Sequence, residues 1–181
     1  MGTKKGPWEV VNSKTVYENP WINVREDAVI RPDKKDGTVG VVRMKHGVTV
    51  LPIDSEKNVY LTREYHYAVE RETIEAISGG IDVGEHKTEA AMRELQEEAG
   101  IIADKLTDLG VIDPFTSVVV SPNYLFLAEN LSFSEATPEG TEQITIIKVP
   151  LGEAVRMVTQ SEITHGATVA VILKTNLLLT Q

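Results

Sequence analysis

The chain contains no cysteine. A disulfide framework, a thiol nucleophile and a thiolate metal site are therefore all excluded. It also has no apolar run approaching the roughly 20 residues that span a bilayer, so no membrane partner is expected. Residues 1–6 are polar and basic with no apolar segment behind them, unlike a secretory signal, and a cytoplasmic location is the expectation. Positive charge is scarce: 18 Lys and Arg stand against 27 Asp and Glu, a net charge of −9. Nucleic-acid affinity rests largely on Lys and Arg at phosphates, so no nucleic-acid partner is expected. No internal repeat or low-complexity linker is present.

What remains is 181 residues of 41% apolar composition, enough for one domain with a real core. Residues 21–30 and 38–45 read as strands around the turn signal Arg31-Pro-Asp-Lys-Lys-Asp-Gly37. Residues 48–53 and 59–63 read as a second hairpin, and 72–77 as a short strand. Residues 106–112, 123–129 and 144–149 are strand-like. Residues 151–160 have helical apolar spacing, and 165–179 read as a helix, although 168–172 would pass for a strand on propensity. Strands mixed with three irregularly placed helices fit an α+β or three-layer sandwich, not a parallel doubly wound sheet.

Residues 79–101, GGIDVGEHKTEAAMRELQEEAGI, carry the chemistry. Helical periodicity puts Glu94, Glu97 and Glu98 on one face, with Arg93 four residues from Glu97. Thr88 is the expected N-cap, and Gly100 suits a left-handed helix end. Ala91, Leu95 and Ile102 form the expected buried stripe. Like charges on one face repel by about 0.2–0.5 kcal/mol per adjacent pair. A divalent cation removes that cost, and clustered hard oxygens favour Mg²⁺ or Mn²⁺. The Gly79-Gly80 turn lets backbone approach the site, where a carbonyl of Ser78 or Gly79 becomes a further ligand. Three glutamates alone would favour a solvated helix face.

The complete pattern is more specific. Gly79, five residues, Glu85, seven residues, Arg93-Glu94-Leu95, any residue, Glu97-Glu98, any residue, Gly100-Ile101 resembles the Nudix box at every defined position. The resemblance implies a Nudix hydrolase of the α/β/α-sandwich type, with a mixed sheet and an N-terminal antiparallel hairpin region. It implies Glu94 and Glu98 as principal metal ligands, Glu97 as a secondary one and the Ser78 carbonyl as a backbone ligand. Glu85 and Arg93 would pair as structural support, with Gly79 and Gly100 shaping the loops.

Beyond the box the chain resembles the ADP-ribose and nucleoside diphosphate sugar hydrolases of that family. This implies two regions, an N-terminal dimer-forming hairpin region over residues 1–45 and a hydrolase domain over 46–181, and hence a homodimer. It makes Trp21 a candidate for base stacking, worth about 1–3 kcal/mol, and Arg43 a candidate phosphate clamp. For both, an ordinary strand role is the competing reading. Where relatives carry arginine in a Gln-aromatic-Arg motif this chain has His66, and Arg63 is the alternative positive charge. His66 is given little weight as a functional residue. The 137–144 loop resembles the one that brings a late glutamate to the metals. Glu142 best fits a ligand or catalytic role, and Glu139 is its rival. Pro114 lies thirteen residues after Ile101, earlier than in strict ADP-ribose hydrolases, which leaves the broader sugar-nucleotide class.

The expected activity is Mg²⁺-dependent cleavage of a nucleotide sugar at its pyrophosphate. Other nucleoside diphosphate derivatives stay open: a dinucleoside polyphosphate, coenzyme A or an oxidised nucleoside triphosphate. So does a nucleotide-sugar-binding protein that no longer turns over.

Overall fold

The computed structural model describes residues 2–137, 140 and 143–180. In chain order its elements are β1 (Thr3–Lys5), β2 (Trp8–Glu18), β3 (Ile22–Ile30), β4 (Asp36–Met44), β5 (Gly47–Pro52), β6 (Asn58–His66), β7 (Arg71–Glu75) and β8 (Ile77–Gly80). There follow α1 (Lys87–Ala99), β9 (Ile101–Ile112), β10 (Val119–Val120), β11 (Asn123–Phe133), β12 (Thr145–Pro150), α2 (Leu151–Thr159) and α3 (Gly166–Leu179). They divide into two units: Met1–Lys45 with Asp113–Ser121, and His46–Ile112 with Pro122–Gln181.

The first unit is one sheet in the order β1-β2-β3-β4-β10, antiparallel except for β10, which runs parallel to β4. Its turns follow from side-chain chemistry. Asn19 Oδ1 accepts the amides of Trp21 and Ile22 at 2.9 and 2.8 Å, bending the chain between β2 and β3. The next turn closes with the Arg31 amide on the Lys35 carbonyl at 2.8 Å, so Gly37 falls inside β4. Strands β1 and β2 were not expected from their polar, basic start. They are held by Asp27, whose buried carboxylate takes hydrogen bonds from Ser13 at 2.6 Å, Arg25 at 2.7 and 3.0 Å and Lys5 at 3.4 Å.

The second unit holds two sheets, β8-β5-β11-β9 of mixed direction and β12-β6-β7, wholly antiparallel. Alternation along β11 explains its layers. Leu125 and Leu127 point to one cluster, with Leu51, Leu61, Ala154, Val171 and Ile172. Phe126 and Ala128 point to the other, with Val48, Val50, Ile77, Ala91 and Leu95. Helices α2 and α3 thus cover one face and α1 the opposite face, an α/β/α arrangement of α+β class. In α3 the residues Ala167, Thr168, Val171, Ile172 and Thr175 are buried at helical spacing, which overrides the β-propensity of 168–172.

Three expectations need correction. The second hairpin is not a ladder: β5 and β6 share only the Ile53–Val59 bridge, and each pairs within a different sheet. Asp54 closes the turn between them, its Oδ1 accepting the Glu56 and Asn58 amides at 3.0 and 2.9 Å, and the strands then part to their separate sheet partners. The strand expected at 72–77 breaks at Ala76, where the chain passes from the β6 sheet to the β5 sheet. Strand β9 begins at Ile101, so Ile102 is an exposed strand residue and not part of the helical stripe. No helix among the described residues is long and apolar enough to cross a membrane.

Candidate active site

The N-cap of helix α1 lies two residues earlier than expected. His86, not Thr88, is the N-cap: its side chain accepts the Thr88 amide, and Glu89 reaches back to the His86 amide at 2.9 Å. This reciprocal capping box satisfies two orphan donors and fixes where the helix starts. Gly100 ends it at φ 61°, its amide bonded to the Gln96 and Leu95 carbonyls. A side chain at Gly100 would also overlap the Ser134 carbonyl, so glycine is required there twice over.

Arg93 is the hub. Its guanidinium donates to both oxygens of Glu85 at 2.9 and 3.1 Å, to Glu94 at 2.8 Å, to Glu97 at 2.9 Å and to the Gly80 carbonyl at 2.9 Å. These partners tie together the loop before the helix, the helix itself and β8. Glu85 above all, then Glu97 and Glu94, hold the guanidinium charged against the opposing effect of burial. Glu85 also accepts the Asp82 amide at 2.9 Å, closing the short turn that leads to α1.

Gly79 and Gly80 lie in β8, not in a turn. Gly79 pairs with Val48, and its bare α-carbon faces the buried carboxylate of Glu94, which any side chain there would displace. Ser78 pairs with Thr49, and its hydroxyl donates to the Ala76 carbonyl at 2.8 Å. Glu97 and Glu98 are half-buried on α1, and the Glu97 carbonyl accepts the Thr137 amide at 2.9 Å. Box residues Gly79, Glu85, Arg93, Glu94 and Glu97 are thus drawn together, with Ser78 one residue before and Glu98 on the same helix.

Among the described residues no three His, Asp or Glu side chains form a ready-made cation cage. The donor set is nevertheless all hard oxygen, and the glycine face brings backbone against Glu94, so the residues present fit a divalent cation such as Mg²⁺ or Mn²⁺.

Arg63 is exposed on β6, between Thr62 and Glu64, and pairs with Ile74 and Thr145. Trp21 and Arg43 belong to the first unit. Trp21 is 70% exposed in the β2–β3 turn, and Arg43 lies opposite Asn23 on β4. Glu139 and Glu142 lie outside the described residues.

Residues 44–173 match the NUDIX domain model. The chain belongs to the Nudix family. Residues 8–42 match a second model, the nucleoside diphosphate sugar hydrolase N-terminal domain. Among curated relatives, the ADP-ribose pyrophosphatase of Bacillus subtilis (strain 168) is 26% identical over 168 residues, 88% of each chain. The methanol dehydrogenase activator of Bacillus methanolicus is 23% identical over 172 residues, 91% of this chain and 90% of that one. A crystal structure of an ADP compounds hydrolase superposes with a TM-score of 0.85 at 21% identity, covering 98% of this chain and 97% of the other, and shows the same fold. This Nudix protein is a hydrolase related to ADP-ribose pyrophosphatase.

Sequence reasoning passed over one group in the second unit. Glu75 accepts a hydrogen bond from Thr73 at 2.6 Å and contacts His66 at 3.2 Å and His165 at 2.9 Å. Glu75 and His165 are far apart in sequence, and nothing in either neighbourhood signals their meeting.

Proposed function

We propose that this Nudix hydrolase cleaves the pyrophosphate of nucleoside diphosphate sugars, ADP-ribose or a related nucleotide sugar, to a nucleoside monophosphate and a sugar phosphate. The observation that carries the reading is the Arg93 hub, which braces Glu94 and Glu97 on an intact box while Gly79 packs against Glu94. The substrate class draws support from the sugar-hydrolase N-terminal model and the ADP-ribose pyrophosphatase relative.

Glu94, Glu97 and Glu98, with the Ser78 carbonyl, would hold Mg²⁺, or Mn²⁺ in its place. When bound, the cation neutralises phosphate charge and makes water a better nucleophile. The chain's own part is positioning. Arg93 keeps Glu94 and Glu97 aimed from one helix, and its charge offsets the repulsion among them. Glu142, with Glu139 as its rival, orients the attacking water or takes its proton. Glu98 is assigned a catalytic role alongside Glu94. Trp21 is assigned to the base, and Arg43 and Arg63 to the phosphates.

The same reading includes a homodimer formed through the N-terminal strands, a small-molecule substrate, a cytoplasmic location and no nucleic-acid partner. Val11, Val16 and Tyr17 on β2 are exposed apolar side chains that support such a contact.

The test is turnover of ADP-ribose and a panel of nucleotide sugars with Mg²⁺ or Mn²⁺, with products resolved after reaction in ¹⁸O-water. Cleavage of at least one sugar nucleotide to a monophosphate and sugar phosphate is expected, with a large loss in Glu98→Gln. An inert panel alongside brisk cleavage of dinucleoside polyphosphates or coenzyme A would overturn the substrate assignment.

A further inference from the structure

Strand β7 ends at Glu75 in the β6 sheet, and two residues later Ile77 is paired with Val50 in the β5 sheet. A crossing of this kind leaves backbone groups at Ala76 without ladder partners, and buried groups of that sort need others. Side chains supply them. The Ala76 amide donates to Thr168 Oγ1 at 2.9 Å, and its carbonyl accepts the Ser78 hydroxyl at 2.8 Å. Thr62 Oγ1 donates to the Glu75 carbonyl at 3.3 Å.

The Glu75 side chain fastens this crossing to two other elements. His66, the last residue of β6, places Nε2 3.2 Å from Oε1, and His165, the N-cap of α3, places Nδ1 2.9 Å from Oε2. Thr73 donates to Oε1 at 2.6 Å, and His165 Nδ1 also lies 2.9 Å from Thr168 Oγ1. Arg71, paired with His66 across the ladder, donates to the Thr164 hydroxyl at 2.8 Å. Burial works against the Glu75 charge, but the hydrogen bond and charge of His165, then Thr73 and His66, keep its carboxyl below its ordinary range. A carboxylate only 16% exposed is thereby pinned from β6, β7 and α3.

Four residues beyond Glu75, Gly79 packs on Glu94, and Gly80 accepts from Arg93. The short strand β8 thus runs from the crossing straight to the box. We propose that Glu75, gripped by His66 and His165, is a positioning residue that sets β8 against Arg93 and Glu94. This rests on the assignment of the box as the catalytic site. Partners standing behind metal-binding groups typically matter 10–100-fold in affinity or activity.

Glu75→Ala and the isosteric Glu75→Gln test it through three readouts on the full chain: amide hydrogen exchange, Mn²⁺ binding followed by electron paramagnetic resonance, and steady-state kinetics on ADP-ribose. Glu75→Ala should speed exchange at residues 76–79 about tenfold or more while α2 and the core of β11 keep their protection. It should weaken Mn²⁺ binding about tenfold and lower kcat about tenfold with KM within about twofold. Glu75→Gln should fall between it and the parent on each measure. Unchanged exchange at 76–79 in Glu75→Ala overturns the proposal, and so does acceleration spread evenly through the fold, which would mark a general stabiliser. If the parent protein binds no Mn²⁺ or cleaves no nucleotide sugar, the proposed function fails, while the exchange result still decides the role of Glu75.

Discussion

The α-carbon of Gly79 faces the carboxylate of Glu94 so closely that a methyl group added at residue 79 would overlap it. The two residues sit on β8 and α1, and the approach sets how near backbone comes to the acidic helix face. Neither φ nor a turn demands glycine at this point; the space taken by Glu94 does. Gly79→Ala should therefore push Glu94 aside rather than unfold the chain. Overpacking of this kind costs about 1–3 kcal/mol, which urea unfolding should register. Activity should fall on the order of 10²-fold, as expected when a catalytic group is misplaced by about an ångström. Near-parental kcat in Gly79→Ala would show that the contact is unimportant to the reaction.

Arg93 makes five hydrogen bonds in three directions, and a lysine has one point charge to offer in their place. Arg93→Lys should keep the charge yet lose the fork to Glu85 and the bond to Gly80. The expected loss is about 1–3 kcal/mol of stability, measured by denaturant unfolding at pH 7. Arg93→Ala should lose more, because Glu85, Glu94 and Glu97 then repel without a cation among them. Equal stability of the lysine variant and the parent would mean that charge alone, not the planar fork, holds the box.

The box could be read from sequence because its partners lie within 23 residues and a helix has a fixed period. The hub of Arg93 on Glu85 and Glu97, and the glycine end at Gly100, follow from that local geometry. The N-cap is harder to read, because a histidine two residues before Thr88 is a weaker signal than the threonine itself. What depends on distant pairing was less legible. Sheet partners decide that β5 and β6 part company at Asp54, since either strand has the alternation of a hairpin arm. His66 looked unremarkable because its partner Glu75 and the second histidine, His165, meet it only after three elements have packed. Buried Asp27 was invisible for the same reason, as its partners Lys5, Ser13 and Arg25 come from three strands.

Asp54 gives a pH test free of the active site. Burial would raise its carboxyl, but the Lys148 ammonium at 2.8 Å and the Asn58 backbone and side-chain amides outweigh it and bring it down to about 2. A carboxyl lowered from 3.8 stabilises the fold above that value, and the contribution is lost as pH falls from about 4 to about 2. Asp54→Ala should therefore cost about 1–2 kcal/mol near neutrality. The gap from the parent should narrow as the pH is lowered through that window. A gap in unfolding free energy that stays constant from pH 6 to pH 2 would assign the effect to the turn alone.

Thr168 offers a last test, on the crossing between sheets. It is fully buried on α3, and its hydroxyl accepts the Ala76 amide at 2.9 Å. Valine has nearly the same shape but no acceptor, so Thr168→Val would strand a buried backbone N–H. That should cost about 1–3 kcal/mol, well above the effect of losing an exposed hydroxyl. Thr168→Ser keeps the acceptor and loses one methyl group, worth about 1 kcal/mol of burial. Amide exchange at Ala76 separates the two changes: the serine variant should retain protection there, and the valine variant should lose most of it. Retained protection in the valine variant would mean that the Ala76 amide finds another acceptor, and that α3 does not fix the crossing through this bond.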